Sequence, residues 1–198
     1  MSKKSYSHFT YQDLKALGLE IVEERLFVPA PAFVEPSDFL KNTLEINLDV
    51  PMATEKAKSE LLITPILNEI RIQSANKFTY FSGYNFDVEP SKGLRGFCDF
   101  ILTKAPKTPF IEKPILAIVE AKNAEIEMGI AQCGAEMYAA QLFNQRQNEP
   151  ISTVYGAVTS GFDWLFMSIQ QSKIQIDTRR YFINNLPELL GVFNQIIL

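Results

Sequence analysis

The sequence predicts an α/β sandwich, in which a short sheet lies between layers of helices. Segments of helix and strand character follow one another in the order helix, strand, strand, strand, helix, strand, strand. The strands predicted at 96–102 and 114–122 are apolar on both faces, which is typical of central strands covered from both sides. With 198 residues, 46% of them hydrophobic and 12% aromatic, the chain can form one good-sized core, so we expect a single domain over 1–198.

The first 50 residues are predicted to form an N-terminal extension with two short helices. Thr10 and Gly18 are typical start and stop residues, so a helix is expected between them. A loop follows, because several prolines make residues 28–36 extended. Ser37 then begins a second helix that runs to about residue 47. The core is expected over about 55–170, followed by a C-terminal strand and helix.

A long amphipathic helix is predicted over about 54–75, where apolar residues recur at helical spacing. Pro65 lies inside this segment and is expected to kink or interrupt the helix. Further along the chain, apolar runs bounded by turn residues predict strands, and helical spacing predicts two more helices. The predicted strands are 78–87, 96–102, 114–122, 153–158, 164–169 and 173–177, and the two helices are about 125–147 and 186–197.

Three charges lie inside the two central strands: Asp99 in the first, and Glu120 and Lys122 in the second. Ionised groups there are costly unless they are paired or hold a metal. Because side chains alternate along a strand, Glu120 and Lys122 point to the same side, with Ala121 between them. Two explanations are open, namely a buried structural ion pair and a hydrolytic site.

The composition excludes several classes of site. The chain has two cysteines, Cys98 and Cys133, no CxxC pair, and a single histidine, His8. A zinc site, a disulfide framework and catalysis by a Ser-His or Cys-His pair are therefore not expected. No apolar run is long enough to cross a membrane, and the N-terminus lacks the apolar stretch of a signal peptide, so we expect a cytoplasmic protein with no membrane partner.

The formal net charge of -4 does not favour tight binding to nucleic acid on its own. This suggests help from a second copy in a homodimer or from a partner subunit. Basic residues flank the charged strands and are either a rim that faces phosphates or ordinary loop charges. They are Lys92, Arg95, Lys104, Lys107 and Lys113.

Two carboxylates and a lysine suit phosphodiester hydrolysis. That reaction needs a cation to neutralise the phosphate and an activated water. Mg²⁺, or Mn²⁺, takes oxygen ligands and keeps several waters, so Asp99 and Glu120 are suitable ligands. Lys122 would orient the attacking water or help to deprotonate it.

The motif Asp99 followed 21 residues later by Glu120-Ala121-Lys122 resembles the PD-(D/E)XK superfamily of restriction-endonuclease-like nucleases. The resemblance covers about residues 55–170 and is greatest to the nuclease domain of restriction-enzyme motor subunits and of small bacterial proteins. It implies a mixed central sheet flanked by helices and a Mg²⁺-dependent nuclease acting on DNA. Cys98 stands where the motif has proline.

The resemblance also implies further site residues. The carbonyl of Ala121 would join Asp99 and Glu120 on the metal. Glu60, on the helix before the strands, would complete the acidic ligands. Glu69 is an alternative on the same helix, but its nine-residue offset from Glu60 places it on the opposite face, and we choose Glu60.

The helix after the Glu120 strand often carries an inward glutamine in this superfamily, and Gln132 takes that place, with Glu136 one turn later. Gln132 would position the attacking water or a phosphate. The alternative function is a catalytically silent domain of the same fold that binds nucleic acid or a protein partner.

Overall fold

A computed structural model describes residues 4–104, 109–148 and 151–197 of the chain. The strands are β1 Glu20–Glu24, β2 Thr79–Asn85, β3 Phe97–Thr103, β4 Ile115–Ala121, β5 Thr153–Thr159, β6 Asp163–Gln170 and β7 Lys173–Phe182. They form one seven-stranded sheet in the order β1-β7-β6-β5-β4-β3-β2. The pairs β1/β7 and β4/β5 are parallel and the others are antiparallel, so the sheet is mixed.

Helices cover both faces of this sheet. They are α1 Tyr11–Ala16, α2 Asp38–Leu48, α3 Glu55–Lys58, α4 Thr64–Gln73, α5 Ile130–Arg146 and α6 Leu186–Ile197. One apolar core joins α2, α4 and α6 to the first face, and a second core joins α1 and α5 to the other. The predicted α/β sandwich with helices on both sides of a mixed sheet is confirmed. Within the described residues, no helix has the length and hydropathy needed to cross a bilayer.

The sheet is wider than expected because the loop predicted after α1 is wrong at residues 20–24. These residues form β1, an edge strand whose neighbour in the sheet is β7. Its sequence, EIVEE, is rich in glutamate, a residue that is depleted in strands. Side chains of β7 stabilise it: Lys173 forms an ion pair with Glu24, and Gln175 donates to Glu24 at 2.7 Å.

Pro65 interrupts the long helix, as the sequence predicts. A π-helical turn, Ser59–Ile63, joins α3 to α4 immediately before it. Proline lacks an N–H, so it cannot bond to the carbonyl of Leu61 four residues earlier. The side chain of Asn47, at the end of α2, donates to that carbonyl at 2.7 Å instead. This hydrogen bond connects the end of α2 to the π-helical turn between α3 and α4.

Helix α5 lies close to the sheet because a glycine on β5 and another just before α5 leave room at the contact. A Cβ added at Gly156 on β5 would lie 2.9 Å from the Cys133 sulfur, and one at Gly129 would lie 2.5 Å from Val158. Either position is too close for a larger residue. This close approach brings polar side chains of α5 against the end of β4.

Candidate active site

The candidate site forms where β3 and β4 stop pairing. Their ladder ends at Phe100 opposite Val119, and Asp99 and Glu120 are the next residue on each strand. The Ala121 N–H, which faces β3, donates to the Asp99 carboxylate at 2.8 Å in place of a ladder bond. The end of the sheet therefore holds Asp99 next to the Glu120 strand.

Glu120 is the most unusual charge at this end. It is 2% exposed, and its Oε1 accepts a hydrogen bond from Lys122 Nζ at 2.5 Å. Its Oε2 is buried and has no partner in the described part of the chain. Burial and the neighbouring Asp99 raise the pKa of Glu120 to about 8, although Lys122 acts against the rise. Burial also raises the pKa of Asp99.

Lys122 bridges β4 and α5. Its Nζ donates to Glu120 and, at 3.2 Å, to Gln132 Oε1. Burial alone would lower the pKa of Lys122, but the carboxylates of Glu120, Glu55 and Asp99 together outweigh burial, so the pKa is raised. Gly129 leaves room for the stem of this lysine, because a Cβ there would lie 3.1 Å from two of its carbons. Lys122 is thus held as an ammonium against the acidic pair.

Gln132 and Glu136 lie on the inner face of α5. Gln132 Nε2 donates to Glu136 Oε1 at 3.1 Å, which leaves Gln132 Oε1 to accept from Lys122. Glu136 is 0% exposed, and its Oε2 has no partner in the described part of the chain. Burial, followed by the charge of Glu120, raises the pKa of Glu136 well above its ordinary value. Two buried carboxyl groups, each with one unpaired oxygen, therefore flank the lysine and glutamine.

Glu55 is a site residue that sequence reasoning missed. Its carboxylate raises the pKa of Asp99, Glu120 and Lys122, although burial is the larger effect on each carboxyl. The first turn of α3 docks on the residue after Lys122: Asn123 N donates to Glu55 at 3.2 Å, and Lys58 donates to the Asn123 carbonyl. The only sequence signal was the place of Glu55 directly after the helix cap.

Thr54 caps α3 by accepting from the Ala57 N–H at 3.1 Å. Glu60 lines the same cavity as Glu55 and Asp99, whose volume is about 320 Å³. The Glu60 side chain is 59% exposed and forms an ion pair with Lys56 at 2.5 Å. The structure therefore brings Glu55 to the acidic pair and leaves Glu60 at the cavity rim. Whether Glu60 binds a metal stays a prediction.

Glu69, the alternative to Glu60, does not belong to this site. It is 4% exposed and accepts the N–H and the hydroxyl of Ser37, both at 2.7 Å. These bonds fix the start of α2. Glu69 lies nine residues after Glu60, and this offset places it on the opposite face of the helix, away from the site.

Two of the five basic residues that flank the strands lie away from the candidate site, which favours the alternative of ordinary loop charges for them. Lys104 follows the far end of β3 and Lys113 precedes β4, so both lie at the other end of these strands from Asp99 and Glu120. Lys104 is five positions after Asp99, a distance of roughly 17 Å along an extended strand. Lys107 lies outside the described residues. Lys92 and Arg95 precede β3, at the same end as Asp99.

The donor set at this end fits Mg²⁺. Among the described residues, no group of three or more His, Cys, Asp and Glu side chains could hold a metal ion. Mg²⁺ does not need such a group, since one or two carboxylates with waters and substrate phosphates hold it in many enzymes. Asp99 and Glu120 provide two carboxylates, and the unpaired Oε2 of Glu120 is a buried acceptor without a partner.

Comparison with models of known protein families gives no match, and comparison with curated proteins gives none either.

Proposed function

We propose that this chain is a Mg²⁺-dependent nuclease that hydrolyses phosphodiester bonds, with DNA as its substrate and Mn²⁺ as an alternative cofactor. One observation carries the proposal: Asp99, Glu120 and Lys122 converge at one end of β3 and β4, with Glu120 buried and one of its oxygens unpaired. The resemblance to the PD-(D/E)XK superfamily agrees with this arrangement.

Asp99, Glu120 and the carbonyl of Ala121 would hold the cation. When bound, the cation would neutralise the phosphate and make a bound water more acidic. Glu55 is the acid best positioned to strengthen cation binding from outside the ligand set, because its charge acts on both carboxyls. Glu60, at the rim of the same cavity, is the alternative.

Lys122 would act on the reacting groups, and Gln132 would position Lys122. The raised pKa of Lys122 supports a role as a cation that orients the attacking water and stabilises negative charge on the phosphate. Gln132 has its amide oxygen at 3.2 Å from that ammonium, so it would set the direction of the Lys122 side chain. Glu136, in turn, fixes which end of the Gln132 amide faces the lysine.

The second candidate is a silent domain of the same fold that binds nucleic acid or a protein. It is favoured by the closed Lys122–Glu120 contact at 2.5 Å, which already satisfies one carboxylate oxygen. Metal-linked stability separates the two. Mg²⁺ at about 100 times its dissociation constant should stabilise the wild type by about 2.7 kcal/mol and leave Asp99→Asn unchanged.

The nuclease is tested on supercoiled plasmid, single-stranded DNA and RNA, with Mg²⁺ or Mn²⁺. We expect metal-dependent cleavage by the wild type and none by Asp99→Asn. If the metal stabilises neither protein and no polymer is cut, the silent binding domain becomes the better account. A homodimer would let two such sites cut both strands symmetrically, which light scattering on the purified protein can test. A basic partner subunit would instead supply the positive charge that this acidic chain lacks.

A further inference from the structure

A second cavity, of about 390 Å³, lies at the start of β3, the strand that carries Asp99. It is bounded by the N-terminal segment, the end of β2 and residues 95–97. Tyr6 ties these parts together: its N–H donates to the Arg95 carbonyl at 3.0 Å and its hydroxyl to the Phe86 carbonyl at 2.7 Å. The Gly96 N–H donates to Asp87 at 2.9 Å. These hydrogen bonds hold the walls of the cavity in place.

Phe97 places an aromatic ring in this cavity. It is 68% exposed, although it belongs to a strand that is otherwise largely buried. It lies two residues before Asp99, which separates their Cα atoms by about 7 Å along the strand. A ligand against this ring would therefore lie within one nucleotide of the candidate metal ligands.

Polar groups surround the ring. Asn85 is directly opposite Phe97 in the β2/β3 register, where side chains of a pair lie about 5 Å apart on the same face. Arg95 lines the same cavity. Neither the Asn85 amide nor the Arg95 guanidinium has a hydrogen bond or ion pair within the described ranges. An aromatic face, a donor–acceptor amide and a cation are thus all available to one ligand.

A nucleotide matches this set. A nucleobase stacks on an exposed ring, its edge forms hydrogen bonds with an amide, and its phosphate binds a guanidinium. Inside a duplex, both faces of a base are covered by its neighbours, so stacking on a side chain requires an unpaired or flipped base. We propose that this cavity binds an unpaired nucleobase of the substrate strand, stacked on Phe97 next to Asn85, with Arg95 on a flanking phosphate. This inference rests on the proposed nuclease function and specifies its substrate as single-stranded or locally unpaired nucleic acid.

The test is binding of a labelled short oligothymidylate, of the same strand in a duplex, and of the same strand with an abasic nucleotide, by fluorescence anisotropy in Ca²⁺. Phe97→Leu removes the ring and keeps an apolar side chain, and Phe97→Trp restores a ring. Phe39→Leu is the matched control, because Phe39 is 73% exposed on α2, in the helix layer of the first core. Circular dichroism of each variant establishes that it is folded.

We expect Phe97→Leu to weaken binding of the single strand by about 5- to 100-fold, as loss of one stacked base does. Duplex binding should not change, Phe97→Trp should bind as the wild type does, and the Phe97→Leu effect should shrink on the abasic strand. Equal binding by the wild type and Phe97→Leu, or equal weakening on single strand and duplex, would overturn the inference. Because binding is measured without cleavage, a ring-dependent affinity in a protein that cuts nothing would refute the nuclease and leave the cavity assignment intact. Cleavage that does not depend on Phe97 would support the nuclease and refute the assignment of the cavity.

Discussion

Replacing Glu120 with Gln should stabilise the fold at high pH while removing a site residue. The pKa of this buried carboxyl is about 8, against an ordinary value of 4.5. A raised carboxyl pKa means that the native state holds the proton more tightly than the unfolded chain does. The contribution of Glu120 to the free energy of unfolding of the wild type is therefore fully present below pH 4.5. It is lost as the pH rises through about 8. At about 1.4 kcal/mol per pH unit, the loss is at most about 5 kcal/mol.

The amide has the shape of the protonated carboxyl and cannot ionise, so Glu120→Gln should escape this loss. Urea unfolding followed by fluorescence of Trp164, the single tryptophan, measures the free energy of unfolding across the pH range. The difference between variant and wild type should be near zero at acid pH and grow towards that limit in alkali. Glu60→Gln, at the exposed Lys56 pair, is the control and should change stability by less than about 1 kcal/mol at any pH. A variant that is less stable than the wild type at alkaline pH would show that Glu120 is an ionised, stabilising partner of Lys122, and the reasoning would be refuted.

Three further predictions follow from the site. Glu55→Gln should weaken Mn²⁺ binding in calorimetry by about 10- to 100-fold, and Glu60→Gln much less, because the charge of Glu55 acts on Asp99 and Glu120. A larger loss of affinity in Glu60→Gln than in Glu55→Gln would restore Glu60 as the ligand. Glu136→Gln should raise the urea midpoint at neutral pH, since burial raises the pKa of this carboxyl and the amide still accepts from its neighbour; a lower midpoint would contradict this. Gly129→Ala should destabilise the protein by about 1–3 kcal/mol, because its Cβ would clash with Val158, and reduce cleavage, because it would also press on Lys122. Wild-type values for both would count against the packing of α5 on the sheet.

The central part of the fold could be predicted because its signals are local. The apolar runs around Asp99 and Glu120 require cover on both faces, and helical spacing identified the long helices. The side-by-side placement of these two acids follows from antiparallel pairing of β3 and β4. Small residues on α5 also indicated a close approach to the sheet, which brings Gln132 inward.

Other features depend on contacts between distant parts of the chain. Glu55 reaches the site because α3 docks on Asn123, 68 positions away, and no local pattern indicates that contact. β1 was missed because an edge strand of five residues needs its partner β7 to be recognised as a strand. The positions of Lys104 and Lys113 relative to the acids follow from strand direction, which nearness in sequence does not reveal.

Plasmid nicking by two lysine variants tests the central claim most directly. Lys122 lies within 2.5 Å of Glu120. Lys56, which lines the same cavity as Asp99, pairs instead with the exposed Glu60. In Mg²⁺, Lys122→Ala should lose at least about 100-fold of the wild-type nicking rate, as loss of a group that acts on the reacting atoms does. Lys56→Ala should stay within a few-fold of the wild type. Equal nicking by the two variants, or no metal-dependent nicking by the wild type, would contradict the assignment of a nuclease site to Asp99, Glu120 and Lys122.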